Sequence, residues 1–231
     1  MGLLVSKRST VTNMLESFND WSIAVENGKS QTVAYIDFAK AFNSVCHAKL
    51  LVKLNGYGIK GSLLELIKCF LSCRTHRTKV GHCMSDIANI TSGVVQGSCL
   101  GPILFLLYIN DLSSVFTDNV CMELYLYGDD VKLYTRVKAS SENDVGLPTL
   151  QTDIDKLAKW AQLWQLPVSY AKCSVMVLSC NKCQTEQFLR IDNHDIPCVS
   201  QVSDLGVTVD TRLKFSTNIC VKVHRKANLI L

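Results

Sequence analysis

Apolar positions recur along this chain at two spacings, one of helices and one of strands. Over residues 10–26 the spacing is helical, with Val11, Met14, Leu15, Phe18 and Ile23 predicted on one side. The β-branched and aromatic run "TVAYIDF" (32–38) predicts a strand. "HAKLLVKLNGYGI" (47–59) predicts a helix closed by Gly56 or Gly58. "GSLLELIKCFLSC" (61–73) predicts a second, with Leu63, Leu66, Ile67 and Phe70 on one face. "RTHRTKVGH" (74–82) has the look of an edge ribbon carrying Arg74, Arg77 and Lys79. The glycine-punctuated stretch "TSGVVQGSCLGP" (91–102) predicts a loop that feeds a helix, with Pro102 in the first turn, where a missing N–H costs least.

Two strand-like runs then flank Gly128 in "MELYLYGDDVKLYT" (122–135), which predicts a hairpin. Residues 147–166 form an amphipathic pattern with Pro148 at its start and Leu150, Ile154, Leu157, Trp160 and Trp164 as its apolar stripe. That stripe needs both tryptophans, so they are assigned to core packing. "KCSVMVLS" (172–179) predicts a strand, 184–210 short strands and turns, and the segment from Phe215 a further helix. The irregular order of strands and helices argues against a doubly wound sheet and for an α+β fold.

Composition narrows the class. The chain has 231 residues, 48% apolar and 19% charged, enough for a real core in one large domain or one domain with a small appendage. A net charge of +4 is compatible with a polyanionic partner but too mild to argue for one. Eleven cysteines, an odd number without a regular framework, and no secretory start predict reduced thiols in an intracellular protein. The run Cys99–Ile109 falls short of the about 20 residues that span a bilayer, so it predicts a buried helix and no membrane partner. "MGLLVS" fits a myristoylation pattern through Gly2 and Ser6 and is read as a chance match. Cys180, Cys183, His194 and Cys198 are zinc-type ligands at a non-standard spacing, and no zinc is assigned to them.

The candidate chemistry lies in the carboxylates. Asp129 and Asp130 follow Gly128 directly. By itself a Gly-Asp turn is an ordinary hairpin solution. Two such charges about 4 Å apart repel by about 4 kcal/mol at an effective dielectric of 20, but neighbours can face away from each other. Asp37 is the second observation, an acid that ends the apolar run "VAYI". If that strand lies beside the hairpin, three carboxylates converge and call for hard divalent cations with oxygen ligands. Two such ions would clamp the attacking and leaving oxygens of a phosphoryl transfer.

At this point a family resemblance becomes specific. "AYIDFAKAFNSVCHAKLLVKL", "SGVVQGSCLGPILFLLYINDL", "LYLYGDD", "WQLPVSYAKCSVM" and "DLGVTVD" occur in that order. Together they resemble the palm motifs of the reverse transcriptases of LINE-type non-LTR retrotransposons, from about Arg8 to about Lys226. The resemblance implies a polymerase palm: a small antiparallel sheet that carries the acids, packed on helices, with fingers and thumb only partial. It divides the chain into a remnant of fingers (1–30), a palm with inserted finger elements (31–210) and the start of a truncated thumb (211–231).

It further implies that Asp37 and Asp129 bind two metal ions, Mg²⁺ or alternatively Mn²⁺, with Asp130 assisting. An RNA template, a DNA primer and dNTP are the implied partners. Phe42 matches the aromatic gate under the sugar, Gln96 and Gly97 the nucleotide-contacting loop, and Lys172 a lysine that protonates pyrophosphate or stabilises its charge. Arg74, Arg77 and Lys79 would meet template phosphates. Four positions depart from the family's usual residues: Gly128 for Ala, Val95 for Pro, Asn43 for Asp and Ser169 for Asn. The expected activity is RNA-directed DNA polymerisation by a truncated retrotransposon product. The alternatives are a remnant that folds or binds nucleic acid without catalysis and, less favoured because Phe42 offers only a wall to a 2′-hydroxyl, an RNA-dependent RNA polymerase.

Overall fold

The computed structural model describes residues 9–116, 122–135, 146–179 and 189–214. The elements begin with α1 (Thr10–Glu26), β1 (Gln31–Asp37), the one-turn helix α2 (Ala41–Ser44), α3 (His47–Gly56) and α4 (Gly61–Leu71). An exposed ribbon follows, made of β2 (Thr75–His76), β3 (Lys79–Val80), β4 (Cys83–Met84) and β5 (Ala88–Asn89). Next come α5 (Leu100–Ile109), a 3₁₀ segment (Asn110–Phe116), β6 (Met122–Tyr127), β7 (Asp130–Thr135) and α6 (Gly146–Trp164). A 3₁₀ turn (Tyr170–Lys172) leads to β8 (Ser174–Leu178), β9 (Leu189–Ile191), β10 (His194–Ile196), β11 (Gln201–Asp204) and β12 (Val207–Asp210). This is the expected α+β mixture. The helix expected from Phe215 lies outside the described residues.

Four strands form one antiparallel sheet in the order β6-β7-β1-β8. Alternation divides it into two faces. Ala34, Ile36, Val131, Leu133 and Val175 belong to the larger core, with Leu104, Phe105 and Tyr108 of α5 and Ile154, Leu157 and Trp160 of α6. Val33, Tyr125, Tyr134, Met176 and Leu178 face a smaller core built with Met14 and Trp21 of α1 and Val209 of β12. The central strand is therefore covered on both sides, which accounts for its nearly continuous apolar run.

Two helices bury only part of the face expected of them: Met14 and Ile67 are buried and Phe18 and Phe70 pack against the cores, while the rest of each face differs. In α1 the buried residues are Asn13, Met14, Ser17, Trp21 and Ala24, while Val11, Leu15 and Ile23 are exposed. Trp21 is fully buried, and small Ser17 and Ala24 on its stripe let the helix approach the sheet. In α4 Ile67 and Leu71 are buried, and Leu63 and Leu66 face solvent. The apolar pattern of each helix is wider than the stripe its neighbours cover, so periodicity alone did not select the face.

One buried ammonium touches several elements of the helical layer. Lys53 of α3 donates to the carbonyl of Tyr108 and pairs with Asp111. Its ammonium also lies 4.9, 4.7 and 3.7 Å from the ring centres of Tyr108, Trp160 and Trp164. Burial pushes its pKa down to about 8, with Asp111 opposing the shift. Both tryptophans thus serve the core, as their stripe predicted.

Candidate active site

The end of β1 sets the site. Asp37 is paired across the sheet with Asp130, the first residue of β7. Tyr127 of β6 also faces Asp130, so Gly128 and Asp129 form a two-residue loop between the strands. Gly128 takes φ +62°, which a glycine at the first loop position adopts freely. The strand ending in Asp37 therefore does lie beside the hairpin, as expected, and the register brings Asp37 and Asp130 opposite each other with Asp129 next in the chain.

The electrostatics are those of crowded acids. Partial burial raises the Asp130 carboxyl above the usual carboxylate range, and Asp129, Asp37 and Asp204 raise it further, against Lys172. Oδ1 of Asp37 is buried and receives no hydrogen bond, although the Lys172 ammonium stands 3.3 Å away. Among the described residues, no three Asp, Glu, His or Cys side chains are close enough together to hold an ion by themselves.

Backbone contacts bring Lys172 there. The amide of Ala39 donates to the carbonyl of Pro167 (2.7 Å), and that of Ser169 to the carbonyl of Asp37 (2.8 Å). The carbonyl of Ser169 then accepts from the amides of Lys172 and Cys173. Ser169 thus acts through its backbone, which any residue there but proline would supply.

A second group of predicted residues meets in the segment that follows β1. Phe42 stacks on the buried Phe105 ring of α5, with centres 4.3 Å apart and planes at 22°. The loop before α5 is laced to the segment after β1. Val94 donates to Phe42 and Gly93 to Val45, each at 2.8 Å, and Ser92 Oγ donates to Asn43 at 3.0 Å. Gln96 Nε2 donates to Asn43 Oδ1 at 3.1 Å. His47 Nε2 lies 2.8 Å from the Gly93 carbonyl, so that nitrogen carries the proton. Gly97 takes φ +83° in the same loop. A Cβ on Gly93 would lie 2.9 Å from the Asn43 backbone, and one on Gly101 only 2.2 Å from the Val95 carbonyl oxygen. That carbonyl also accepts from Ser98 Oγ (2.7 Å), which in turn accepts from the Gly101 amide.

Arg74, Arg77 and Lys79 lie on the β2–β5 ribbon, whose strands form sheets separate from the one that carries the acids. Of the zinc-type residues, His194 stacks on Tyr170 and Cys198 is exposed, while Cys180 and Cys183 lie outside the described residues. So do Gly2 and Ser6.

Sequence reasoning missed several contacts of the site, that of Asn43 with Gln96 among them, although Asn43 itself stood out as a departure from the family. Asn43 and His47 hold the Gln96 loop. Gly101 admits the carbonyl of Val95. Lys132 and Asp204 form a buried ion pair at 2.8 Å behind the acids. One signal for the last was available: Lys132 interrupts the apolar run of a strand on the same side as Asp130, and a buried lysine needs a partner.

The fold and the site define a polymerase-type palm, a small antiparallel sheet with acids at one end and helices beneath. Residues 4–209 match the family described as "Reverse transcriptase (RNA-dependent DNA polymerase)", and the chain belongs to that family. It is 28% identical over 200 residues to the RNA-directed DNA polymerase from mobile element jockey of Drosophila melanogaster, a match that covers 85% of this chain and 21% of that protein. It is 25% identical over 189 residues to the probable RNA-directed DNA polymerase from transposon X-element of the same fly, covering 80% and 20%. The chain thus spans about a fifth of the length of these relatives. Among solved structures, apo telomerase from Candida tropicalis, truncated from the C-terminal domain, superposes with a TM-score of 0.60 at 12% identity, covering 92% of this chain and 40% of that one. At that identity the likeness speaks for the fold. Among the described residues no helix is long and apolar enough to cross a membrane.

Proposed function

We propose that this chain adds deoxynucleotides to a DNA primer on an RNA template, with divalent cations held by Asp37, Asp129 and Asp130. The observation that carries the reading is the cross-strand pairing of Asp37 with Asp130, one residue from Asp129. The donor set fits such ions. One oxygen of Asp37 is buried without a hydrogen bond, and the mutual repulsion felt at Asp130 is what a cation would relieve. Mg²⁺ is commonly held by one or two carboxylates together with water and substrate phosphates, so the absence of a complete side-chain cage is in keeping with it. Two Mg²⁺ ions, or Mn²⁺ in their place, would activate the primer 3′-hydroxyl and neutralise the charge on the leaving pyrophosphate.

The chain's own residues then divide the work. Phe42, backed by Phe105, is the wall under the sugar and leaves no polar partner for a 2′-hydroxyl. Gln96 and Gly97 meet the incoming dNTP from a loop steadied by Asn43 and His47. Lys172, whose side chain is 67% exposed, leaves Asp37 for the pyrophosphate and stabilises or protonates it, since an exposed ion pair is weak. Arg74, Arg77 and Lys79 bind template phosphates. Residues 1–30 belong to the fingers, 31–210 to the palm and 211–231 to the thumb.

Single-nucleotide addition by the purified chain, on an RNA template with a DNA primer and Mg²⁺, tests the reading. Asp37→Asn or Asp129→Asn each removes a full charge from the ion site and should slow addition by on the order of 10²–10³ or more. Asn43→Asp keeps the acceptor for Gln96 and should change the rate only slightly. Near-normal addition by Asp129→Asn would disprove the ion assignment. A chain that binds the hybrid yet adds no nucleotide with Mg²⁺ or Mn²⁺ would be a binding remnant instead.

A further inference from the structure

We infer that the Lys132–Asp204 ion pair is a latch that holds the tip of the β11–β12 hairpin against the catalytic strand, making both residues positioning residues for Asp129 and Asp130. The inference rests on the polymerase reading only in treating those two acids as the reacting site.

Lys132 is two residues beyond Asp130 and points to the same side of β7. Its ammonium lies 2.8 Å from Asp204 Oδ2, and the two side chains are only 6% and 8% exposed. The same ammonium is 5.1 Å from the ring centre of Trp21 in α1 and 5.4 Å from that of Tyr125 in β6. One cation on the catalytic strand thus touches α1, β6 and β11.

The hairpin is attached differently at its two ends. Its base is tied to β8 by backbone bonds, Val199 donating to Val175 (2.8 Å) and Ser179 to Thr211 (3.1 Å). Its tip faces the acids across a cavity of about 270 Å³ whose lining includes Asp37, Asp130, Tyr35 and Leu205. The buried oxygens Tyr35 Oη and Asn13 Oδ1, both from residues lining this cavity, have no hydrogen-bond partner, so neither ties the tip down. The tip itself is strained. Leu205 takes φ +46° ahead of Gly206 at φ +86°, and a bulky residue stays in that region only where its surroundings hold it. The ion pair comes from the residue just before that turn. A buried pair returns little net stability once both charges are desolvated. What it supplies here is a fixed distance between the hairpin and the strand that carries the acids.

Hydrogen exchange and single-nucleotide addition on the full chain test the latch. Lys132→Met leaves the Asp204 carboxylate buried without its cation, and Asp204→Asn leaves the Lys132 ammonium without its counter-charge. Amides of 201–210 should then exchange faster by on the order of 100-fold, with those of α3, α5 and α6 unchanged. The kcat for addition should fall while KM for dNTP holds. The double variant Lys132→Met/Asp204→Leu, an apolar pair with nearly the same number of side-chain atoms, should restore both protection and kcat to within a few-fold of the native chain.

Unchanged exchange at 201–210 in the single variants would overturn the latch, as would a double variant no better than the singles. If Lys132→Met does not fold, Asp204→Asn and the double variant are judged by the same criteria. The exchange measurement needs no catalysis. A native chain that adds no nucleotide would therefore sink the polymerase reading while leaving the latch to be judged by exchange.

Discussion

Lys53→Met should remove a rise in stability that the native chain shows between pH 8 and pH 10. The Lys53 side chain is 3% exposed and meets Asp111, the Tyr108 carbonyl and three aromatic rings. Desolvation outweighs these attractions and lowers its pKa from 10.5 to about 8. The folded value is the lower one, so between pH 8 and 10.5 the unfolded chain holds more protons and stability rises with pH. Below pH 8 both states carry the proton, and the contribution is a constant penalty. Two pH units at about 1.36 kcal/mol each put the rise at no more than about 2.7 kcal/mol.

Tyr108, pushed up to about 12 mainly by burial, works in the opposite direction above pH 10, so the comparison stops there. Met keeps most of the volume, and Asp111, 30% exposed, can take water in place of the ammonium. Urea unfolding under reducing conditions at pH 7, 8, 9 and 10, followed by circular dichroism, measures both proteins. Other groups cancel in the native-minus-variant difference, which should be flat up to about pH 8 and then grow in favour of the native chain. A flat difference to pH 10, or one that shrinks, would refute the reasoning.

Gly101→Ala sets helix propensity against collision. Alanine favours the helix by about 1 kcal/mol, but its Cβ would stand 2.2 Å from the Val95 carbonyl oxygen. The net effect should be a loss of about 1–3 kcal/mol, with a lower Tm and a higher KM for dNTP because Gln96 shares that loop; a raised Tm would contradict it. Phe42→Ala removes a half-buried ring stacked on Phe105 and should lose about 2 kcal/mol, roughly half the cost of a fully buried Phe. It should also weaken the preference for dNTP over rNTP, and an unchanged preference would count against the gate. At Gly128 a Cβ would meet nothing within 4 Å, so Gly128→Ala isolates the backbone cost of φ +62°. That cost is about 1–2 kcal/mol, and an alanine variant as stable as the native chain in urea would show that the loop relaxes freely.

Local chemistry made the elements readable from the chain alone. β1, the hairpin and the long amphipathic helix α6 announce themselves through side-chain period, the hairpin's turn through Gly128 and the start of α6 through Pro148, and Gly58 marks the end of α3. The candidate acids were legible for a related reason: a carboxylate that ends an apolar strand, or two that sit on a tight loop, must find water or a cation. The ordered motifs then identified the family.

Sequence by itself could not choose the buried face of α1 or α4. Both carry more apolar residues than one stripe needs, and the choice fell to Trp21, Ile67 and Leu71 because the sheet and helices facing them had room there. Nor could it bring together residues whose only link is tertiary. Asn43 meets Gln96 because backbone bonds lace two distant segments together, and Gly101 is required because a carbonyl from the preceding loop occupies the space of a side chain. Lys132 breaks the apolar run of β7 and so asks for a partner, but only when β11 folds over it is that partner seen to be Asp204. A charge on a strand shows its meaning only when the opposite face is known to be covered, and that cover comes from a hairpin 72 residues away.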